Sequence, residues 1–104
     1  MEMTLTAHAK FDRRQRLEAL EQVLGFTRSV LEVKVQEEDR KYCLTSSGVL
    51  LVKSISTDVV ITAFMANIDQ CYRLYRMAGK KQISPKVRER VMKNAERHWY
   101  LFDL

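Results

Sequence analysis

Glycine is scarce in this chain. Only Gly25, Gly48 and Gly79 occur among its 104 residues, too few and too far apart for a GxxxxGK[ST] or GxGxxG phosphate cradle. Pro85 stands alone, and no Pro/Gly/Ser-rich stretch marks a linker, so residues 1–104 are expected to form a single domain. Cys43 and Cys71 have no CxxC or Cys/His spacing and read as reduced, packed thiols. With only His8 and His98 beside them, at opposite ends of the chain, no metal site and no cofactor are expected. Carboxylates cluster only at Glu37-Glu38-Asp39, a solvated turn by composition, which removes glycosidase-type chemistry. No apolar run approaches the ~18 residues of a membrane span. The opening Met-Glu-Met-Thr lacks the basic start of a secretory signal. A cytoplasmic protein without membrane association is the expectation.

Positive charge is what the chain has, and it is unevenly placed. The net charge is +5. Residues 1–39 carry six basic and eight acidic groups, residues 40–65 three and one, and residues 66–104 nine and four. A field concentrated at one end attracts phosphate backbones or anionic surfaces, whereas evenly mixed charge mainly confers solubility. Within that end, Lys86, Arg90, Lys93 and Arg97 are spaced by four, three and four residues. At about 100° per residue they fall within roughly a 60° arc of one helix. Val87, Val91, Ala95, His98, Trp99 and Phe102 supply an apolar arc for the core, so the expected helix runs from 85 to 101.

Periodicity organises the rest. Asp12 with Gln15 reads as a capping box for a helix over 13–24, in which Leu17, Leu20, Val23 and Leu24 recur at helical spacing until Gly25. Upstream, Thr6 is a candidate cap for a first turn holding His8. From Val30 to Gln36 the pattern changes to period two, a strand. Tyr42–Thr45, Val49–Val52 and Val59–Phe64 follow as β-rich runs separated by short polar turns. The last two are apolar on both faces and need a central place or helices on both sides. Asn67 and Gln70 form a second capping box ahead of a helix ended by Gly79, with Ile68, Cys71, Tyr72 and Tyr75 on one face and Arg73 and Arg76 on another. Ser84-Pro85 opens the striped helix. The expected fold is α+β: an N-terminal helix, a four-stranded antiparallel meander, and two C-terminal helices packed on the sheet.

Two histidines among many cations are enough for metal-independent RNA cleavage, which needs a base, cations for the charged transition state and an acid. His8 and His98 are the acid/base candidates, since histidine titrates near neutrality. His98 falls on the apolar arc and suits a core role. His8 precedes Lys10, Arg13, Arg14 and Arg16. A His-Ala pair with nearby arginines, then a helix and a four-stranded meander over residues 4–65, resembles the small phage- and plasmid-borne proteins of the RelE and colicin D group, with their barnase-like ribonuclease fold. The resemblance implies a site in which His8 is the first-helix residue, Arg16 or Arg13 the phosphate-holding cation, Lys41 a sheet cation and Thr62 a last-strand hydroxyl. It departs from the group's pattern at Asp12, where an arginine is often found four residues after the histidine.

Two functional readings follow. In the first, the stripe lies along nucleic acid, with Arg73 and Arg76 extending it and Tyr100 stacking on an unpaired base; Tyr72, Tyr75 and Trp99 are read as core residues. The ribonuclease resemblance puts RNA ahead of DNA. In the second, the protein is a non-enzymatic interaction module, a phage-type inhibitor or accessory factor, docking its basic helix on an acidic protein surface. Homodimerisation through an exposed sheet edge is compatible with both.

Overall fold

The computed structural model describes the backbone of residues 7–103 and the side chains of residues 14–102. Helix α1 (Ala7–Val23) is followed by strands β1 (Ser29–Val35), β2 (Arg40–Thr45), β3 (Val49–Ser54) and β4 (Val60–Met65). Helices α2 (Ile68–Met77) and α3 (Pro85–Arg97) come next, with a 3₁₀ segment at Trp99–Asp103. The strands form one antiparallel sheet in the order β1-β2-β3-β4, so the expected α+β meander is present.

Two boundaries differ from the sequence pattern. Helix α1 begins at Ala7 and runs through Asp12, which is therefore an interior residue and not a cap. No glycine or proline interrupts Ala7–Val23, and its Ala, Leu, Arg, Gln and Glu residues propagate a helix readily. Thr6 lies outside the described residues. At the other end α1 stops as expected, with Gly25 at φ 78° and its N–H donating to the Leu20 carbonyl at 3.0 Å. Helix α3 stops at Arg97, not near 101: His98 leaves helical geometry at φ −127°. Ser84 precedes Pro85 at the start of α3, yet its side chain makes no capping hydrogen bond. The Asn67/Gln70 box of α2 forms in full: Gln70 N–H donates to Asn67 Oδ1 at 2.8 Å and Asn67 N–H to Gln70 Oε1 at 2.9 Å.

Alternation along each strand divides the sheet into two buried faces. Leu31, Val33, Tyr42, Leu44, Leu50 and Phe64 face α2 and α3, packing with Cys71, Leu74, Tyr75, Ile83, Val87 and Val91. Cys43, Val49, Leu51, Ala63 and Met65 face the other way, onto Leu17 and Leu20 of α1 and Leu101 of the 3₁₀ segment. This explains the doubly apolar β3, whose Val49–Val52 are all buried. It also seals the end of the chain: after α3 the 3₁₀ segment crosses to the α1 side, and Leu101, 3% exposed, anchors it there.

The β2–β3 turn holds α3 in place. Gly48 adopts φ 88°, and a Cβ at that position would collide with Asn94 Nδ2. Asn94 is fully buried and donates to the Ser47 carbonyl at 2.8 Å. A buried amide in a helix otherwise anchored by Val87 and Val91 fixes the rotation of α3 more sharply than apolar contacts do.

Candidate nucleic-acid interface

Because Val87, Val91 and Asn94 face inward, the cationic stripe is carried on a flank of α3. Lys86, Arg90, Lys93 and Arg97 are all exposed. Lys93 is paired with Glu89 at 2.8 Å across one helical turn, and that contact holds the Glu89 carboxyl below its ordinary value. Among the described residues, Lys86, Arg90 and Arg97 have no carboxylate within ion-pair distance. The stem of Arg90 passes beside Gly48, and exposed Arg28 borders the same turn, its carbonyl accepting the Ser46 N–H at 2.9 Å. Arg73 and Arg76 stand exposed on the outer side of α2. A groove of about 620 Å³ runs along α3, lined by Tyr72, Ile83, Arg88, Met92, Lys93 and Glu96 among others.

The aromatic assignments change. Tyr75 is buried as expected, but Tyr72 is exposed and lines the groove. Trp99 is 62% exposed, Phe102 is exposed and so is Ala95, none of them a core residue. For Trp99 and Phe102 the helix break at His98 is the cause, since it carries the following residues off the apolar arc. In their place the core gains Asn94, a residue that composition does not mark as apolar. His98 is half-buried at the end of α3, its N–H donating to the Asn94 carbonyl at 2.7 Å. Tyr100, 45% exposed, has its hydroxyl 3.5 Å from His98 Nδ1.

Of the residues carried over from the ribonuclease resemblance, Arg16, Lys41 and Thr62 have described side chains, and these three are not brought together. Thr62 pairs in register with Val52 and Tyr42, a row that faces α2 and α3. Lys41 lies one position along β2 from Tyr42 and so faces the α1 side. The sheet therefore separates them. Arg16 stands near the far end of β4, beside a pocket of about 560 Å³ lined by Phe64, Met65, Asn67, Gln70 and Leu101, and its Nε is buried with no hydrogen-bond partner among the described residues. His8 is on α1, with its side chain outside the described residues.

Lys41 belongs instead to a feature that residue type alone did not reveal. Lys34, Lys41 and Lys53 are direct cross-strand partners on β1, β2 and β3. Their register follows from the turn positions, which is the signal that would have found them. Lys41 donates to Asp58 Oδ1 at 3.0 Å, raising the lysine and lowering the carboxylate from their ordinary values, and Lys53 lowers Asp58 further. Asp58 sits in the β3–β4 turn at φ 58°, so the contact ties that turn to β2. Both cysteines are buried on opposite faces of the sheet, and burial pushes the Cys71 thiol up to about 11, which leaves it inert as a nucleophile at neutral pH. Among the described residues no cluster of His, Cys, Asp or Glu could hold a metal ion, and no helix is long and apolar enough to cross a membrane.

Comparison with known protein families, characterised proteins and solved structures yields no match, so any function has to be argued from the chain's own geometry.

Proposed function

We propose that this protein is a small nucleic-acid-binding domain that lays the α3 stripe along a phosphate backbone. The observation that supports it is the exposure of Lys86, Arg90, Lys93 and Arg97 on one flank, with one pairing, Lys93 to Glu89, among the described residues. The four cations span about 16 Å of helix axis at 1.5 Å per residue. Along a strand of B-form duplex, at 3.4 Å per step, that length covers about five nucleotides. Contacts of this kind confer affinity without sequence readout. RNA is the preferred partner in this reading, with DNA second. The phage- or plasmid-type origin suggested by the ribonuclease resemblance adds nothing to the surface argument. We read the protein as a binder, because Lys41 and Thr62 lie on opposite faces of the sheet.

The test is the salt dependence of binding to oligonucleotides. If all four cations engage phosphates, log Kobs should fall against log salt with a slope of about −3. A flat response overturns the reading. It would favour the alternative, a protein-interaction module meeting carboxylates, for which a nuclease-treated pull-down should retain the partner.

A further inference from the structure

The residues just past the stripe carry a second property. Trp99, Tyr100 and Phe102 are 62%, 45% and 42% exposed and follow Arg97 with only His98 between; Trp99 and Tyr100 form a pair, while Phe102 lines the pocket beside Arg16. Single exposed apolar residues are ordinary on a protein surface, whereas a contiguous group of large ones marks an interaction site. Leu101, buried between them on the α1 side, pins the 3₁₀ segment, so the rings are presented from a fixed backbone. Tyr100 stands edge-on to both neighbours. Its ring is at 83° to Trp99 with centroids 6.3 Å apart, and at 83° to His98 with centroids 6.1 Å apart.

We infer that this aromatic group is a base-stacking platform at the end of the phosphate track, and that the nucleic acid recognised is single-stranded. The inference rests on reading the stripe as a phosphate track and adds what that reading leaves open. A duplex presents phosphates to the four cations but keeps its base faces stacked inside, leaving the rings in water. An acidic protein surface also satisfies the cations, but it does not set a flat π face beside each charge. An unpaired strand brings a charged backbone and free π faces together, and stacking on aromatics tolerates any base. Because Trp99 and Tyr100 stand nearly perpendicular, they cannot both lie parallel to two successive stacked bases. The platform therefore takes one base on Trp99, with Tyr100 buttressing it.

Trp99 is the only tryptophan in the chain, so its emission reports this site directly. The experiment titrates the full-length protein with oligouridylate of about 12 nucleotides and with a duplex of the same length. Saturable quenching by the single strand is expected, with affinity at least about fivefold tighter than for the duplex. Trp99→Ala should remove that preference while keeping the salt slope set by α3, and Trp99→Phe should restore part of it; both binding affinities are read by anisotropy of labelled oligonucleotide. Because the ring is largely in water, circular dichroism should show both variants folded. Salt-dependent binding with silent Trp99 emission, or an unchanged single-strand preference in Trp99→Ala, overturns the platform and leaves the phosphate track standing. Absence of salt-dependent binding to either oligonucleotide overturns the track and the platform with it.

Discussion

Two rows of cations differ in what the fold leaves them to do. On α3, Lys86, Arg90, Lys93 and Arg97 project from a helix flank into solvent. Across the sheet, Lys34, Lys41 and Lys53 sit directly opposite one another, an arrangement that is destabilising unless counter-charge is supplied. Asp58 supplies it, bonded to Lys41 at 3.0 Å and close enough to Lys53 to feel its charge, while Glu32 lies near Lys41. One row is largely open to a partner, and the other is engaged in holding a turn. Counting lysines and arginines does not separate the two; their register and their neighbours do.

The largest effect available is to dislodge the open row from its support. Gly48→Ala forces a left-handed residue to carry a Cβ into Asn94. The backbone strain together with the overpacking should cost about 2–4 kcal/mol in chemical or thermal unfolding. Asn94→Ala in the same background relieves the collision and should recover part of that loss, which shows whether the glycine is needed for the contact as well as for its backbone angle.

The next test sets the two rows against each other. Replacing Lys86, Arg90 and Arg97 together by alanine should reduce the salt slope from about −3 to about −1, with little change in stability because the side chains are exposed. Replacing Lys34 and Lys53 by glutamine should leave the slope within about 0.5 of its original value. Equal losses from the two variants, measured by oligonucleotide binding over a salt series, would erase the distinction between them.

Much of this architecture was legible in the residues, for identifiable reasons. Period-two alternation in Val30–Gln36 and the glycines at 25, 48 and 79 are local signals, and the strands and stops they announce are present. The Asn67/Gln70 box is equally local and forms as written. The failures came where the surroundings overrule what a residue's type suggests. Asp12 is a good cap by type, but an uninterrupted helix-forming segment carries α1 past it. Trp99 falls on the apolar arc only if α3 continues, and a single break at His98 turns it to solvent. Asn94 carries no apolar mark in the sequence and is buried because a turn 47 residues earlier takes its amide. The ribonuclease resemblance implies Lys41 and Thr62 as partners, whereas strand parity places them on opposite sides. The stripe was the most legible part of the candidate site, since one helix carries all of it.

The smallest effect concerns Lys93, the stripe cation that shares the condition of Lys41. Its partner Glu89 is exposed and sits at i−4, so the pair is in reach of water and can exchange carboxylate for phosphate. If the exchange is incomplete, Glu89→Gln should steepen the salt slope by up to about 0.7–0.9, one further phosphate contact. The direction with pH follows from the depressed carboxyl of Glu89: the ion pair is intact above the ordinary glutamate value of about 4.3 and is lost only as pH falls through the lower folded value. Lowering the pH from 7 to about 5 should therefore leave this contact as it was, and only the substitution should release Lys93. An unchanged slope in Glu89→Gln would show that Lys93 already reaches the phosphate, so that pairing on an exposed helix does not withdraw a cation in the way that pairing on the sheet withdraws Lys41.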